Sequence, residues 1–355
     1  MTRLLTFAAA LALISSTLHA SVAVTNYNWL QLPPADVTTL IGGHAGGGSG
    51  NDSPIDYRWG DWAWIPNSTL TNSGADSYWA AVRLDQSRNI KKVSVQFWLG
   101  EGTSVTAFHI DGSNDGTGWT NDIGSYNFGS AQSTARTGLL GASALTLTNP
   151  GNYQYVRVRF EPGEYAYGSA ARGGPGLIAL EPIGDGTLAD NQVNWLNKSN
   201  FGTTVSNSNL AFSGTRYNDG FLYDDEGVRT GDQGTWASNQ YMQMNLGAPR
   251  TINQLIGVWD SGWHGTGFDV QYSPDGGATY LSVTNKAATN YATEPGAKGY
   301  VFDDATSQYW RIASGTGGTP WTLFNQVLMF SPTPEPSGLA LLALAALTTL
   351  RRRRI

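Results

Sequence analysis

Cysteine is absent from all 355 residues. That excludes disulfides, thiolate metal sites, a cysteine nucleophile and a lipid anchor on cysteine. Charge is also sparse, at 14% of residues. Periodic runs of Ala, Leu, Glu and Lys, which long helices need, are missing between residues 25 and 330. Recognisable catalytic patterns are missing too. No "GxSxG" elbow, "HExxH" pair or phosphate loop occurs. A glycosidase needs two carboxyl groups at a set separation, and no such pairing can be read from the order of the acids. His44, His109 and His264 lie far apart and without helical ligand spacing, which argues against zinc. The chain is therefore read as a non-enzyme.

Glycine and aromatics are abundant: 44 Gly, 13 Trp, 16 Tyr and 12 Phe. Many turns and many large rings suit an all-β protein. Strand signals alternate with period two. Val93, Val95 and Phe97 oppose Ser94, Gln96 and Trp98; Val156, Val158 and Phe160 oppose Tyr155, Arg157 and Arg159. Met242, Met244 and Leu246 oppose Tyr241, Gln243 and Asn245. One apolar and one polar face predict antiparallel sheets packed face to face, the outer side wet.

The body reads as two copies. "NWL" occurs at 28–30 and 194–196, "FHIDGSNDGTGW" (108–119) matches "FDVQYSPDGGATY" (268–280), and "QYVRV" (154–158) matches "QYWRI" (308–312). The offsets shrink in order, as expected if the second copy has shorter loops. The join is placed at Gly184–Thr187, which gives units of 24–183 and 188–331.

Both ends look like addresses. Residues 1–23 carry Arg3, an apolar stretch and small residues, with Ala20 and Ala23 as cleavage points. That is the layout of a signal peptide. At the other end, residues 332–355 hold Pro334-Glu335-Pro336, the apolar run Gly338 to Leu350, and Arg351, Arg352, Arg353 and Arg354. The run is shorter than the roughly 20 residues of a comfortable membrane span, but arginine stems can extend it. The arginines would hold that end on the cytoplasmic side. Without both ends, 16 basic residues face 26 acidic ones. Nucleic acid, which needs clustered positive charge, is excluded as a partner.

The tail resembles the PEP-CTERM sorting signal of Gram-negative bacteria. The resemblance implies recognition by an exosortase, a membrane transpeptidase; the signal-peptide layout at the other end implies a signal peptidase. It implies a transient inner-membrane anchor through a short hydrophobic helix, then release to the outer surface or extracellular matrix. The body resembles discoidin (coagulation factor 5/8 type C) domains. The residues concerned are Trp79 with Val82 and Leu84, "KKVSVQFW", Phe108 to Gly116 and Tyr155 to Val158, and in the second copy Trp236, "RTINQLIGVW", Phe268 to Gly276 and Tyr309 to Ile312. That resemblance implies two tandem eight-stranded jelly-roll β-sandwiches of the galactose-binding type, using loops at one end to bind carbohydrate or to adhere.

Two sets of binding residues follow. Trp59, Trp62 and Trp64, with Asp56, Arg58 and Asp61 beside them, and Trp259 and Trp263 in the second copy, are candidates for stacking on sugar rings. Each tryptophan can equally fill a core. The acidic stretch 217–234, with Asp219, Asp224 and Asp225, has the oxygen-rich character calcium favours. The discoidin resemblance adds Glu181 in the first copy, where the second has Gln326. Calcium is the one candidate cofactor; a solvated acidic loop is the alternative. The expected function is non-catalytic binding of exopolysaccharide by an exported protein. A matrix, coat or adhesion protein that binds other proteins is the alternative, and a polysaccharide-active enzyme ranks below both.

Overall fold

The computed structural model describes residues 20–32, 37–43, 78–99, 102–134, 136–140, 143–166, 175–207, 241–259, 268–290, 297–314 and 324–332. The all-β expectation holds: two antiparallel sheets carry most of the described residues. The first sheet comprises β1 (Ser21–Asn28), β2 (Val37–Gly43), β3 (Tyr78–Trp98), β4 (Ser104–Ser113), β5 (Trp119–Gln132), β6 (Arg136–Leu139), β7 (Leu145–Phe160), β8 (Tyr165–Ala166) and β9 (Gly176–Ala189). Its main path runs β1-β9-β3-β7-β4-β5. The second comprises β10 (Thr204–Asn207), β11 (Tyr241–Trp259), β12 (Phe268–Tyr272), β13 (Leu281–Ser282), β14 (Ala287–Asn290), β15 (Ala297–Ser314) and β16 (Phe324–Phe330). Its path is β10-β11-β15-β12-β13.

Long strands bend to make two layers. Tyr78 pairs with Phe160 at one end of β3, while Phe97 near the other end pairs with Thr137 and Leu177. A straight strand would put Tyr78 and Phe97 roughly 60 Å apart, at about 3.3 Å per residue. Yet the Phe97 ring meets those of Phe108 and Phe160 edge-on, at 5.2 and 5.3 Å. β3 therefore folds over on itself, and its apolar residues close a core between the layers. The β3–β7 register slips between Arg83 and Arg88 and again between Ile90 and Lys92. The β11–β15 register slips at the same place in the second half, between Asn245 and Arg250. Bulges of this kind bend and twist a ladder. Among the described residues the two sheets hold nine and seven strands.

The apolar residues of Val156–Phe160 and Tyr241–Leu246 are buried as expected, although Arg157 on the opposite face of β7 is buried too. The alternation differs on β3, where Ser94 and Gln96 are buried along with Val93, Val95 and Phe97. This length of β3 is an interior one, flanked by β9 and β6, and its second face is buried as well. The join also differs. Gly184, Gly186 and Thr187 pair with Tyr27, Val24 and Ala23, so the first sheet continues through Ala189. Ser21 to Ala23, assigned above to the signal peptide, belong to β1 and pair with Ala189 to Thr187. No helix among the described residues is long and apolar enough to cross a membrane; residues 333–355, expected above to be a sorting tail, lie outside them.

Candidate functional site

Trp59, Trp62, Trp64, Asp56, Arg58, Asp61 and Trp263 lie outside the described residues, as do Asp219, Asp224 and Asp225. Trp259 ends β11, opposite Phe324. Glu181 sits on β9 opposite Ser94 and is fully buried. Among the described residues no group of three or more His, Asp or Glu is arranged to hold a metal.

What the described residues do bring together is an arginine between two aromatic rings, once in each half. Strand alternation puts Trp79 of β3, Asp111 of β4 and Arg157 of β7 on one outward face, and Trp119 opens β5 beside them. The Arg157 guanidinium lies 4.1 Å from the Trp119 ring and 5.3 Å from that of Trp79. The two indoles are 5.7 Å apart and tilted. In the second half Arg311 of β15 lies 3.9 Å from the Tyr241 ring and 3.5 Å from that of Tyr280. The register makes these one arrangement. Ala81 and Asp111 flank Arg157, as Gln243 and Gln271 flank Arg311. Trp79 opposes Arg159, as Tyr241 opposes Ala313. A cation over a ring face is attracted by the ring quadrupole, more strongly when partly dehydrated. All four rings are half-buried, so part of each meets solvent.

The two clamps differ in charge. Asp111 is buried and accepts from Arg157 Nε at 2.7 Å and from Arg159 Nε at 2.7 Å. Burial pushes its carboxyl up, but bonds from Arg159, the Asp122 amide and Arg157 outweigh that, and the net shift is downward. Arg157 Nη2 also donates to Asn121 Oδ1, at 3.2 Å. Arg159 reaches on to Asp122 and Glu161, and His109 bridges Asp122 and Glu164 at 2.6 and 2.8 Å. His109 thus joins Asp122 and Glu164 into the network around Arg159. Arg311 has an amide instead: Nε and Nη2 both donate to Gln243 Oε1, at 3.0 and 2.8 Å. Burial raises the Tyr280 hydroxyl above its ordinary value, against an opposing pull from Arg311.

Below each clamp the hairpin turn is built the same way. Ser113 Oγ and the amides of Thr117 and Gly118 donate to Asp115 Oδ1; Ser273 Oγ and the Thr279 amide donate to Asp275 Oδ1. Backbone amides lead in lowering Asp115, and the Thr279 hydroxyl and amide lead in lowering Asp275, both to about 2. These turns fix where β5 starts and where Tyr280 emerges. Sequence matching had already aligned Trp119 with Tyr280 and Arg157 with Arg311. Their meeting with Trp79 and Tyr241 was not foreseen. The available signal was the pair "HID" and "RVR", opposite charges at the same alternation on two strands.

No family model and no curated protein matches the chain. Solved structures similar to it include the CBM32-1 and CBM32-2 domains of ZmpB from Clostridium perfringens in complex with GalNAc: identity is 10%, covering 89% of this chain and 98% of that one, with a TM-score of 0.31. Chitosan-binding module 1 from a chitosanase/glucanase of Paenibacillus sp. IK-5 matches at 18% identity, 39% and 100% coverage and TM-score 0.29. The CBM32 of AlyQ in complex with 4,5-unsaturated mannuronic acid matches at 25% identity, 27% and 74% coverage and TM-score 0.23. At scores this low the overlaps do not assign a fold, and the architecture above rests on the strand pairing.

Proposed function

We propose that the chain is an exported, non-catalytic glycan-binding protein whose two clamps each present rings and a guanidinium to sugar. The observation that carries this reading is the recurrence of the clamp. Three side-chain positions from three strand regions meet in both halves, with Trp exchanged for Tyr and the acid for an amide. A sugar ring offers an apolar C–H face to an aromatic and hydroxyls to N–H donors, which is the combination half-buried rings beside an arginine provide.

Export rests on the two ends of the sequence. Signal peptidase and an exosortase are the proposed partners, the outer surface or matrix the proposed destination, and exopolysaccharide the proposed ligand pool. Cleavage after Ala20 keeps β1 whole, whereas cleavage after Ala23 would remove three of its paired residues. Calcium at Asp219, Asp224 and Asp225 remains a proposal about the sequence alone.

The test is binding of the full chain to a panel of polysaccharides by affinity electrophoresis, with Trp119→Ala, Tyr280→Ala and the double variant. Each single change should weaken retention and the pair should abolish it, with near-ultraviolet circular dichroism confirming the fold. No retention of the unaltered chain by any polysaccharide removes the reading.

A further inference from the structure

The two clamps share geometry but not charge, and we infer that the second one takes an anionic sugar, carboxylated or sulfated, while the first takes neutral sugar. This inference rests on the glycan-binding reading above and narrows it to a ligand class.

In the first half, both arginines of the face share a buried carboxylate. Arg157 and Arg159 each donate from Nε to Asp111 at 2.7 Å. Arg159 is also held by Asp122 and Glu161. An incoming anion would compete with acids already in place and would meet Asp122, Glu161 and Glu164 around the same arginine. Neutral hydroxyls suffer no such repulsion.

In the second half that compensation is gone. Gln271 stands in register where Asp111 stands, and Ala313 where Arg159 stands. Among the described residues, Arg311 donates to Gln243 Oε1, has rings against its faces, and acts on the Tyr280 hydroxyl beside it. A guanidinium has five N–H donors in a planar fork. Gln243 uses one on Nε and one on Nη2, which leaves three. Asp269 lies two residues from Gln271 on β12, at the same alternation. Its carboxylate is engaged elsewhere, by Gln271 Nε2 at 2.9 Å and Ser282 Oγ at 2.5 Å. A half-buried cation with no carboxylate against it among the described residues, flanked by two rings, matches a sugar ring that carries an anionic group. Charge-assisted bonds from arginine are the strong ones, and its fork suits a carboxylate or sulfate.

The experiment uses the full chain and three soluble polymers: polygalacturonate (carboxylate), dextran sulfate (sulfate) and dextran (neutral). Affinities are measured by isothermal titration at two salt concentrations. Retention of one or both acidic polymers, weakened by added salt, is expected. Arg311→Gln should lower that affinity about ten- to a hundredfold, the range a charge-assisted hydrogen bond supports, and Arg311→Lys should restore part of it. Gln271→Asp installs the first half's own acid opposite Arg311. It should suppress acidic binding with little cost to folding, because the first half already accommodates that pair. Acidic binding untouched by both Arg311→Gln and Gln271→Asp overturns the inference. So does binding of dextran alone, which would leave the glycan-binding reading standing. Failure to bind any of the three, with failure across the wider panel, overturns both.

Discussion

At the scale of single residues, the molecule repeats itself down to individual hydrogen bonds. Asn28 Oδ1 accepts from the Leu30 amide at 3.0 Å and Asn194 Oδ1 from the Leu196 amide at 3.1 Å. The tryptophan of each "NWL" lies under an arginine: Arg88 is 5.0 Å from the Trp29 ring and Arg250 is 3.9 Å from the Trp195 ring. The paired aspartates of the hairpin turns give a pH prediction. Both Asp115 and Asp275 are lowered in the folded chain to about 2, chiefly by bonds to turn amides and hydroxyls. A depressed folded pKa means that each turn's contribution is complete above the ordinary carboxylate range. It is lost as pH falls toward about 2, because protonation removes the acceptor. Carboxyl chemical shifts followed through an acid titration should give two midpoints near 2. Midpoints near the ordinary aspartate value would show that the turns do not hold these carboxylates.

At the scale of elements, much depends on β3 and β11, which each span two layers. β9 passes so close to β3 that Gly184 leaves no room for a side chain. A Cβ there would lie 1.7 Å from the Asn89 carbonyl oxygen. That oxygen accepts the Trp29 indole N–H at 2.9 Å. Gly184→Ala should therefore push β9 from β3 and free the buried indole at once. The expected loss is at least about 2 kcal/mol, the scale of overpacking and of a lost buried bond, read as a shifted urea midpoint. An unchanged midpoint would contradict the close approach. These elements also show what was legible beforehand. Alternation located the core faces of β7 and β11, because a half-buried strand writes its burial with period two. It misassigned Ser94 and Gln96, because burial of the second face depends on neighbours distant in sequence. The "GDGT" stretch read as a join for a related reason. Its glycines serve close packing against Asn89 and Trp29, and turn composition does not distinguish that from a loop.

At the scale of the whole molecule, the halves meet through buried polar groups. Tyr27 Oη donates to the Gln31 carbonyl and accepts from the Asn194 amide; Gln31 Oε1 accepts from the side-chain amides of both Asn194 and Asn197, at 3.2 and 3.1 Å. Burial raises the Tyr27 hydroxyl far above its ordinary value, which keeps it a neutral donor. Such a network, low in dielectric and mutually supporting, ties the first strand of one half to the opening turn of the other. The duplication itself was legible in the sequence, since its three ordered matches needed no structure. The clamps were legible only in part. Two of their three positions lie inside those matches, but the third comes from a strand about 40 to 80 residues away, and only pairing brings it near.

The central claim is that sugar meets the chain at these clamps, and nuclear magnetic resonance tests it most directly. Isotope-labelled full chain would be titrated with an oligosaccharide from a polymer it retains. The signals followed are the indole N–H groups of Trp79 and Trp119 and the guanidinium Nε–H groups of Arg157 and Arg311. The account predicts that saturating shifts concentrate at the indoles and Arg157 for a neutral sugar and at Arg311 for an anionic one. Saturation with all four signals unmoved, while other resonances shift, would contradict it.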